Sequence, residues 1–308
     1  MKNLVTGGCG LIGSHLIDKL MNKGEEVICV DNLVSSELSN INQWLPNNRF
    51  KFLKQDVSIP FEIKVDKIWH LASPASPYRY QKDPISTSKI IFMGTYNMLK
   101  LANKLSIPIL CSSTSEIYGN PTIDIQNENY YGSVNPVGLR SCYAEGKRLA
   151  ETLCADFNRI YNLDVKIARI FNTYGPRMLQ DDGRVISNFI FNSLNNLPIK
   201  VFGEGKQTRT FCYVDDLVDG LIKLMNSNYT GPINLGNPLE EISILELAYF
   251  IKNKTNSKST ISKADLNEDD PLRRKPDIDK AIKILDWYPK VKIDIGINKT
   301  IQYFRNLV

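Results

Sequence analysis

A tyrosine and a lysine four residues apart are the residues of this sequence best suited to chemistry. Tyr143 and Lys147 fall in a predicted helix, so their side chains share one face. The same spacing occurs at Tyr78/Lys82, Tyr96/Lys100 and Tyr288/Lys292. Tyr143 stands apart because its helix follows a strand that ends in small hydroxyls and a carboxylate, Ser112–Glu116. A neighbouring cation lowers the pKa of a tyrosine from about 10 and favours phenolate. Tyr143 is therefore predicted to take a proton from a hydroxyl that Thr114 also holds.

A glycine-rich turn follows the first predicted strand and opens the first predicted helix. Its spacing, GxxGxxG over Gly7–Gly13, by itself also fits an ordinary strand-to-helix turn. Glycines allow a tight turn and close approach of the backbone to a pyrophosphate. Asp31 closes the second predicted strand, where a carboxylate accepts hydrogen bonds from the adenosine ribose. No Arg or Lys occurs in residues 32–36 to bind a 2′-phosphate, which predicts NAD rather than NADP.

The residues predicted to bind NAD follow the ends of the first four strands, with the Tyr/Lys pair added. They are Gly7, Gly10, Leu11, Ile12, Gly13, Asp31, Asn32, Asp56, Val57, Leu71, Ala72, Ser73, Tyr143 and Lys147. Lys147 is expected to hold the nicotinamide ribose as well.

The elements that must position these residues alternate between strand and helix. The pattern predicts strands at Asn3–Thr6, Glu26–Val30, Phe50–Lys54, Lys67–Leu71, Ile107–Cys111 and Val165–Ile170, and helices at Leu11–Lys23, in a long stretch to about Leu105, and at Tyr143–Ile160. This alternation predicts an α/β fold with a Rossmann-type doubly wound parallel sheet over residues 1–171.

The remainder, residues 172–308, is more loosely patterned. Helices are predicted near Ile186–Asn195, Asp215–Met225, Ile244–Lys254 and Ile295–Phe304, and a long polar loop at Lys258–Asp270. This part is expected to form mainly a smaller C-terminal substrate-binding lobe, with some segments returning to the first domain.

Composition excludes several classes of protein. The formal charge of +5 over 308 residues comes from scattered lysines, which disfavours nucleic acid and suits a small anionic substrate. The six cysteines have no CxxC or zinc-like spacing, and His15 and His70 are interpreted as packing residues, so no metal site is predicted. No apolar run has the length of a membrane span, and the first strand begins almost at Met1. We therefore expect a cytoplasmic protein.

Motifs along nearly the whole chain resemble UDP-glucuronate decarboxylases, also called UDP-xylose synthases, of the extended short-chain dehydrogenase/reductase family. The matching strings are VTGGCGLIGSHL, HLASPASPYRY, STSEIYG, NPVGLRSCYAEGKRLAET, ARIFNTYGPRM, DDGRVISNFI, FCYVDDLVDGL, NLGNP and DDPLRRKPDI. The glycine turn and the Tyr/Lys pair specify the broader family, whereas SPASP, TSE and RRKPDI point to the decarboxylases.

The resemblance implies a reaction in three stages: NAD oxidises C4 of UDP-glucuronate, the β-keto acid loses carbon dioxide, and C4 is reduced again. It implies that Tyr143 is the base, Lys147 its partner and Thr114 the hydroxyl holder. Ser115 and Glu116 would contact the sugar near C5 and its carboxylate, which the charge of Glu116 would destabilise, and Arg274 would assist there.

Further expectations from the resemblance concern the rest of the substrate and the assembly. Substrate contacts are implied for Lys89, Asn172, Arg177, Arg184, Gln207, Arg209, Tyr213 and Arg274. A homodimer is implied through the helices Ser86–Leu105 and Tyr143–Ile160.

Two residues depart from the family pattern, and other functions stay open. Ile91 stands where relatives carry asparagine, and Ala144 where they carry aspartate. A UDP-sugar 4-epimerase or 4,6-dehydratase shares the C4 oxidation, although Ser115 replaces the aspartate that a dehydratase uses. Two further alternatives are a decarboxylase that releases the 4-keto pentose with NADH and a non-catalytic NAD-binding regulator.

Overall fold

Fourteen strands occur in the part of the chain that the computed structural model describes, residues 1–180, 182–265, 271 and 273–307. In chain order they are β1 (Lys2–Thr6), β2 (Glu26–Asp31), β3 (Phe50–Lys54), β4 (Lys67–His70), β5 (Ile109–Thr114), β6 (Val165–Ile170), β7 (Thr173–Tyr174), β8 (Ile199–Phe202), β9 (Thr208–Arg209), β10 (Cys212–Tyr213), β11 (Pro232–Leu235), β12 (Ile242–Ser243), β13 (Ile261–Ala264) and β14 (Arg273–Arg274).

The same described residues contain nine α-helices. They are α1 (Leu11–Asn22), α2 (Pro77–Lys82), α3 (Pro84–Leu105), α4 (Ser141–Tyr161), α5 (Val185–Leu194), α6 (Val214–Met225), α7 (Ile244–Thr255), α8 (Asp279–Leu285) and α9 (Ile293–Arg305). Short 3-10 helices follow β2 at Leu38–Trp44 and β5 at Ser115–Tyr118.

A seven-stranded sheet carries the fold, in the order β11-β6-β5-β4-β1-β2-β3. All of its pairings are parallel. The chain winds outwards from β1 in both directions, so the strand order reverses between β1 and β4. In open α/β sheets, ligands bind beyond the carboxyl ends of the strands at such a reversal. The predicted Rossmann-type parallel sheet is thus confirmed.

Helices cover both faces of this sheet, which explains its nearly continuous apolar strands. Val5 and Leu4, adjacent in β1, point into different cores. The core on the side of Val5 includes residues of α1 and α6, whereas the core on the side of Leu4 includes residues of α3 and α4. Each fully buried large apolar side chain contributes roughly 1.5–3 kcal/mol. The sheet is therefore a rigid base for residues at its carboxyl edge.

The prediction of one long helix ending near Leu105 is wrong in one respect, because this segment forms two helices, α2 and α3. Asp83 ends α2 and caps α3, where its side chain accepts a hydrogen bond from the backbone N–H of Ser86 at 3.0 Å. Pro84 then occupies the first turn of α3, a position that proline favours. The break turns α2 and its residue Tyr80 towards the sheet edge, beside Glu116.

Other element boundaries also differ from the prediction, in β5 and in the second half of the chain. β5 runs over Ile109–Thr114 rather than Ile107–Cys111, so Ser112–Thr114 belong to the strand. The helix α8 was not predicted, and β13 lies inside the predicted loop at 258–270, of which residues 266–270 lie outside the described residues. The boundary between lobes at 171/172 stays a prediction, although β11 joins the main sheet.

Candidate active site

A cleft of about 780 Å³ lies along the carboxyl edge of the sheet and is bounded on its other side by residues from beyond β6. Most of the predicted site residues line it: Gly7, Gly10, Leu11, Ile12, Gly13, Asp31, Asn32, Val57, Leu71, Ala72, Ser73, Thr114, Ser115, Glu116, Tyr143, Lys147, Asn172, Arg177, Arg184, Gln207, Arg209 and Arg274. Asp56, Lys89 and Tyr213 are the predicted residues that are not among its lining residues.

The glycine turn forms one end of the cleft and leaves no room for side chains. Gly7 has φ +70°, and a Cβ there would lie 2.8 Å from the backbone of Ala72. A Cβ on Gly13 would lie 2.3 Å from the carbonyl oxygen of Gly7. Helix α1 begins at once after Gly10, so its N-terminal N–H groups face this end of the cleft. The arrangement fits a pyrophosphate, which helix N-termini bind well.

Asp31 lies beside this turn at the end of β2. Its carboxylate accepts hydrogen bonds from the backbone N–H of Cys9 at 3.0 Å and of Leu33 at 2.9 Å, and from Ser36 Oγ at 2.7 Å. These bonds fix the carboxylate in the position where an adenosine ribose would be held. Asp56 lies nearby, outside the cleft lining, and accepts a bond from Asn32 Nδ2 at 3.3 Å.

Tyr143 and Lys147 lie together on α4 and are both buried. The side chain of Thr114 lies close enough to the Tyr143 hydroxyl to lower its pKa in part. Lys147 Nζ donates to the carbonyl oxygen of Ser112 at 2.8 Å and lies 6.0 Å from the centre of the Tyr143 ring. The strand β5 and the helix α4 thus bring the predicted base, its partner and the hydroxyl holder to one place.

Burial shifts the pKa values of both members of this pair. Burial, helped by the negative charge of Glu116, raises the pKa of Tyr143 to about 12, and the Thr114 side chain only partly opposes this. Burial also lowers the pKa of Lys147 to about 8. The sequence argument expected the Lys147 ammonium and a positive nicotinamide ring together to favour the phenolate. The ammonium is directed at Ser112, so the lowering of the Tyr143 pKa stays a prediction for the protein with NAD bound.

Glu116 is held by residues that the sequence reasoning missed. Arg140 Nη2 lies 2.8 Å from Glu116 Oε1, and Arg140 Nε donates to Oε2 at 3.3 Å. Tyr80 donates its hydroxyl to Oε2 at 3.2 Å, and its ring stacks on that of Tyr143 with centroids 4.9 Å apart and planes 4° apart. Arg274 Nη1 lies 3.9 Å from Oε1. Glu116 is therefore paired with Arg140 and Tyr80 in addition to lying near the predicted Arg274.

Burial alone would raise the pKa of Glu116. Arg140 and then Arg274 outweigh that effect, together with the bond from Tyr80, and the pKa is held below its ordinary value. Glu116 is thus a carboxylate at neutral pH, with two guanidinium groups beside it.

Residues predicted for the nucleotide end of the substrate already have protein partners. Arg177 pairs with Asp18 on α1 at 2.7 Å, and Arg184 with Asp182 at 3.0 Å. Arg209 donates to the carbonyl oxygen of Pro271 at 2.6 Å. The amide groups of Asn172 and Gln207 donate to backbone carbonyls at 3.4 and 3.0 Å. These contacts fix the side chains along the cleft.

Two of the predicted substrate contacts lie elsewhere. Tyr213 is buried, with its ring edge-on to that of Tyr174 at 5.7 Å and Lys299 Nζ 5.4 Å from its centre. Tyr213 is not among the lining residues of the cleft, so its contact with the substrate stays a prediction. Lys89 is exposed on α3, and its charge acts on Asp56 rather than in the cleft.

The two departures from the family pattern pack behind Tyr143. Ile91, 1% exposed, lies in a cluster with Tyr80, Tyr143 and Ala150, and Ala144 is also buried. A Cβ on Gly146 would lie 3.2 Å from Ile91 Cδ1, so α3 and α4 approach closely here. Ile91 thus gives Tyr143 an apolar backing, and α3 continues through it as one helix.

Comparison with known proteins agrees with this geometry. Residues 3–236 match the model of the NAD dependent epimerase/dehydratase family. The chain is 51% identical over 301 residues to UDP-glucuronic acid decarboxylase 1 of Danio rerio, covering 98% of this chain and 72% of that protein. It is 50% identical over 306 residues to UDP-glucuronic acid decarboxylase 3 of Arabidopsis thaliana, covering 99% and 89%. The chain belongs to the UDP-glucuronic acid decarboxylases of this family.

A solved structure of another member of the epimerase/dehydratase family has the same fold. UDP-glucuronic acid 4-epimerase from Bacillus cereus, in complex with UDP-glucuronic acid and NAD, superposes with a TM-score of 0.90 over 100% of both chains at 26% identity. This decarboxylase family member therefore shares its architecture with epimerases and differs from them in sequence.

Further features bear on the class of protein. Over residues 1–180, 182–265, 271 and 273–307, no group of three or more His, Cys, Asp and Glu side chains is arranged to hold a metal ion. None of the helices in those ranges combines the length and the apolar character needed to cross a bilayer.

Arg140 has a sequence signal in retrospect. It is a cation at the N-terminus of a helix, three residues before the predicted base, where the helix dipole disfavours positive charge. Tyr80 ends the matched string HLASPASPYRY, but its contact with Glu116 was not predicted because its helix was not distinguished from α3.

Proposed function

We propose that this protein is an NAD-dependent UDP-glucuronate decarboxylase that makes UDP-xylose. The observation that carries the proposal is the carboxylate of Glu116 beside the guanidinium of Arg274, in the same cleft as Tyr143 and Thr114. The relatives with 50–51% identity over nearly the whole chain support it.

The residues of this chain fit NAD. A Cβ on Gly7 or Gly13 would meet backbone atoms, so only glycine lets the turn pack tightly enough for its N–H groups to approach a pyrophosphate, and Asp31 is fixed to accept from the adenosine ribose. Bound NAD supplies an acceptor for the two electrons that C4 gives up and regains, and a positive nicotinamide ring that favours the phenolate of Tyr143.

The C4 step depends on Tyr143, Thr114 and Lys147. Tyr143 Oη takes the proton of the C4 hydroxyl, while Thr114 holds the same oxygen by a hydrogen bond. Lys147, fixed on Ser112, supplies positive charge beneath the site. The proton returns from Tyr143 to the C4 oxygen when C4 is reduced again.

Decarboxylation depends on the groups around Glu116. Once C4 is a ketone, the carboxylate on C5 is β to it, and the C5–C6 bond breaks with its electron pair moving into an enolate over C5 and C4. Arg274 is close enough to Glu116 to orient the substrate carboxylate, and Ser115 is expected to contact the sugar. C5 then takes one proton from solvent, so UDP-glucuronate and a proton give UDP-xylose and carbon dioxide.

An epimerase is the second candidate within this family. It needs the sugar to turn over between oxidation and reduction at C4, and it keeps the carboxylate. The Arg140–Glu116–Arg274 arrangement and the higher identity to decarboxylases favour loss of the carboxylate.

Proton NMR of the purified protein with UDP-glucuronate, with and without added NAD, tests the proposal. We expect the anomeric signal of UDP-xylose to replace that of the substrate, also without added NAD if the cofactor stays bound through the cycle. A signal of the C4 epimer would favour the second candidate. Unchanged substrate would overturn both.

We also propose a homodimer through α3 and α4. Phe92 is 37% exposed and Ile160 70% exposed on these helices, and Tyr96, Leu153 and Phe157 line a shallow depression between them. Sedimentation should give twice the chain mass. Ile160→Glu should give monomers, whereas a wild-type monomer would contradict the proposal.

A reducing compartment, the cytoplasm, is the proposed location. All six cysteines are free, and the sulfur atoms of Cys9 and Cys29 lie 3.9 Å apart, within hydrogen-bond distance but without a disulfide. Fractionation of the source cells should give the activity with cytoplasmic markers, and recovery in a secreted or membrane fraction would contradict this.

A further inference from the structure

Arg140 sits where two catalytic segments meet. Its backbone carbonyl accepts hydrogen bonds from the N–H groups of Tyr143 at 3.2 Å and Ala144 at 3.1 Å, so it starts the helix that carries the proposed base. Its side chain reaches back to Glu116, which follows β5. A cation at a helix N-terminus is electrostatically unfavourable. The pair with Glu116 is what compensates for this position.

Both oxygens of Glu116 are occupied in a way that fixes the plane of the carboxylate. Arg140 engages Oε1 at 2.8 Å and Oε2 at 3.3 Å, and Tyr80 donates to Oε2 at 3.2 Å. Two-point contact from a planar guanidinium sets orientation as well as distance. Because Tyr80 also stacks on Tyr143, the carboxylate and the base are held as one unit.

We propose that Arg140 is a positioning residue for decarboxylation, one that holds the Glu116 carboxylate in a single orientation so that C5 is protonated from one face. This rests on the proposed function. Arg140 acts through Glu116, and Arg274 Nη1 lies 3.9 Å from Oε1, the oxygen that Arg140 Nη2 also contacts.

The charge state of Glu116 decides how the proton is delivered. The charged and titratable groups that face Glu116 from the elements around it are Tyr80, Arg140, Cys142, Tyr143 and Arg274. The two arginines keep the pKa of Glu116 below its ordinary value despite burial. An ionised Glu116 has no proton to give, so it accepts a hydrogen bond from a water molecule. That water gives its proton to C5, and the hydroxide left behind is neutralised by a proton from solvent.

The test is the reaction run in D₂O with the purified enzyme and UDP-glucuronate, with NMR of the two hydrogen positions on C5 of UDP-xylose. The wild type should place deuterium at one position. Arg140→Gln should lower kcat about 100-fold, the lower part of the range for positioned proton transfer, and place deuterium at both positions. Arg140→Lys keeps the charge but contacts one oxygen, so it should also scramble the label, with a smaller loss of kcat.

A matched control separates positioning from stability. Arg169 pairs with Glu151 at 2.8 and 3.0 Å and is similarly buried, so Arg169→Gln breaks a comparable ion pair at a different glutamate. It should lower the melting temperature without scrambling the label. Arg140→Gln should also move the acidic limb of the pH profile of kcat to higher pH, because Glu116 loses its nearest cation.

The outcomes are distinct. An Arg140→Gln enzyme that labels one position with kcat within threefold of wild type overturns the inference. If that variant does not fold, Arg140→Lys and Glu116→Gln decide it in the same way, by scrambling or its absence. A wild type that makes no UDP-xylose overturns the proposed function instead.

Discussion

At the scale of single residues, the chemistry depends on a tyrosine that the folded protein alone makes a weaker acid. Burial and the charge of Glu116 raise the pKa of Tyr143 to about 12, against the direction that proton abstraction needs. A lysine four residues away was expected to reverse this, but Lys147 is directed at the Ser112 carbonyl. Arg184 and Arg274 lower the pKa of Tyr143 only in part. In the proposed reaction the cofactor would add further positive charge, which would tie the reactivity of Tyr143 to cofactor binding.

Tyr143→Phe should separate binding from chemistry. The variant keeps the ring that stacks on Tyr80 and loses the hydroxyl that takes the proton, so kcat should fall by roughly 100- to 10,000-fold. NAD affinity, measured by titration calorimetry on protein stripped of cofactor, should change little. Turnover equal to wild type would remove Tyr143 from the mechanism and favour a non-catalytic NAD-binding role.

Lys147 should set the basic limit of activity. Burial lowers its pKa to about 8, so its positive charge is present below that pH and is lost as the pH rises through it. The pH profile of kcat/KM should therefore fall above about pH 8. Lys147→Arg should remove this fall, because a guanidinium keeps its charge to about pH 12. The same basic limb in both enzymes would assign it to another group.

At the scale of elements, the site was predictable where it follows strand ends and not where it follows tertiary contacts. The glycine turn, Asp31 and the end of β5 are local patterns, and the structure brings them to one cleft. Arg140 and Tyr80 reach Glu116 across 24 and 36 residues of sequence, which periodicity does not detect. Tyr213 shows the converse, since its motif matched but its ring is used in packing.

The glycine turn gives a prediction for the first strand-helix unit. In Gly13→Ala the new methyl group would lie 2.3 Å from the Gly7 carbonyl oxygen, and the turn must shift. Overpacking of this kind costs ~1–3 kcal/mol. If this free energy raises the NAD-bound state relative to the free protein, NAD binding weakens about 10- to 100-fold. Calorimetric titration measures this, with Lys23→Ala, an exposed change after the same helix, as control. Unaltered affinity in Gly13→Ala would mean that the turn does not hold the pyrophosphate.

At the scale of the whole molecule, the cleft combines both halves of the chain. Arg209 of β9 and Arg274 of β14 are register partners in a small three-stranded sheet. This one sheet therefore carries both a proposed nucleotide contact and a proposed catalytic residue. Gln126 is fully buried and connects this sheet to the first half of the chain. Its backbone N–H donates to the carbonyl oxygen of Lys275 at 2.9 Å, and its side-chain Oε1 accepts from the backbone N–H of Lys275 at 2.8 Å. Sequence patterns predicted the second half least well because its strands are two to four residues long.

The stability of the whole fold should depend on pH through His70. This histidine is buried in the sheet between the hydroxyls of Thr6, at 2.9 Å, and Thr95, at 3.3 Å, and burial lowers its pKa from 6.5 to about 3. The unfolded chain therefore binds a proton that the folded chain does not, at any pH between these values. Stability is fully present above about pH 6.5 and is lost as the pH falls, by up to ~1.4 kcal/mol per pH unit.

Urea denaturation between pH 5 and 8 measures this dependence. His70→Asn should be less stable than wild type at pH 8, because it leaves a gap and disturbs the bonds to the two threonines, yet its stability should fall less steeply below pH 6.5. His15→Asn is the control, since His15 is the only other histidine and its lowered pKa contributes in the same direction from a less buried site. If the free energy of unfolding depends on pH equally steeply in wild type and His70→Asn, the proton taken up on unfolding belongs to another group. His70 then makes no contribution to the loss of stability in acid.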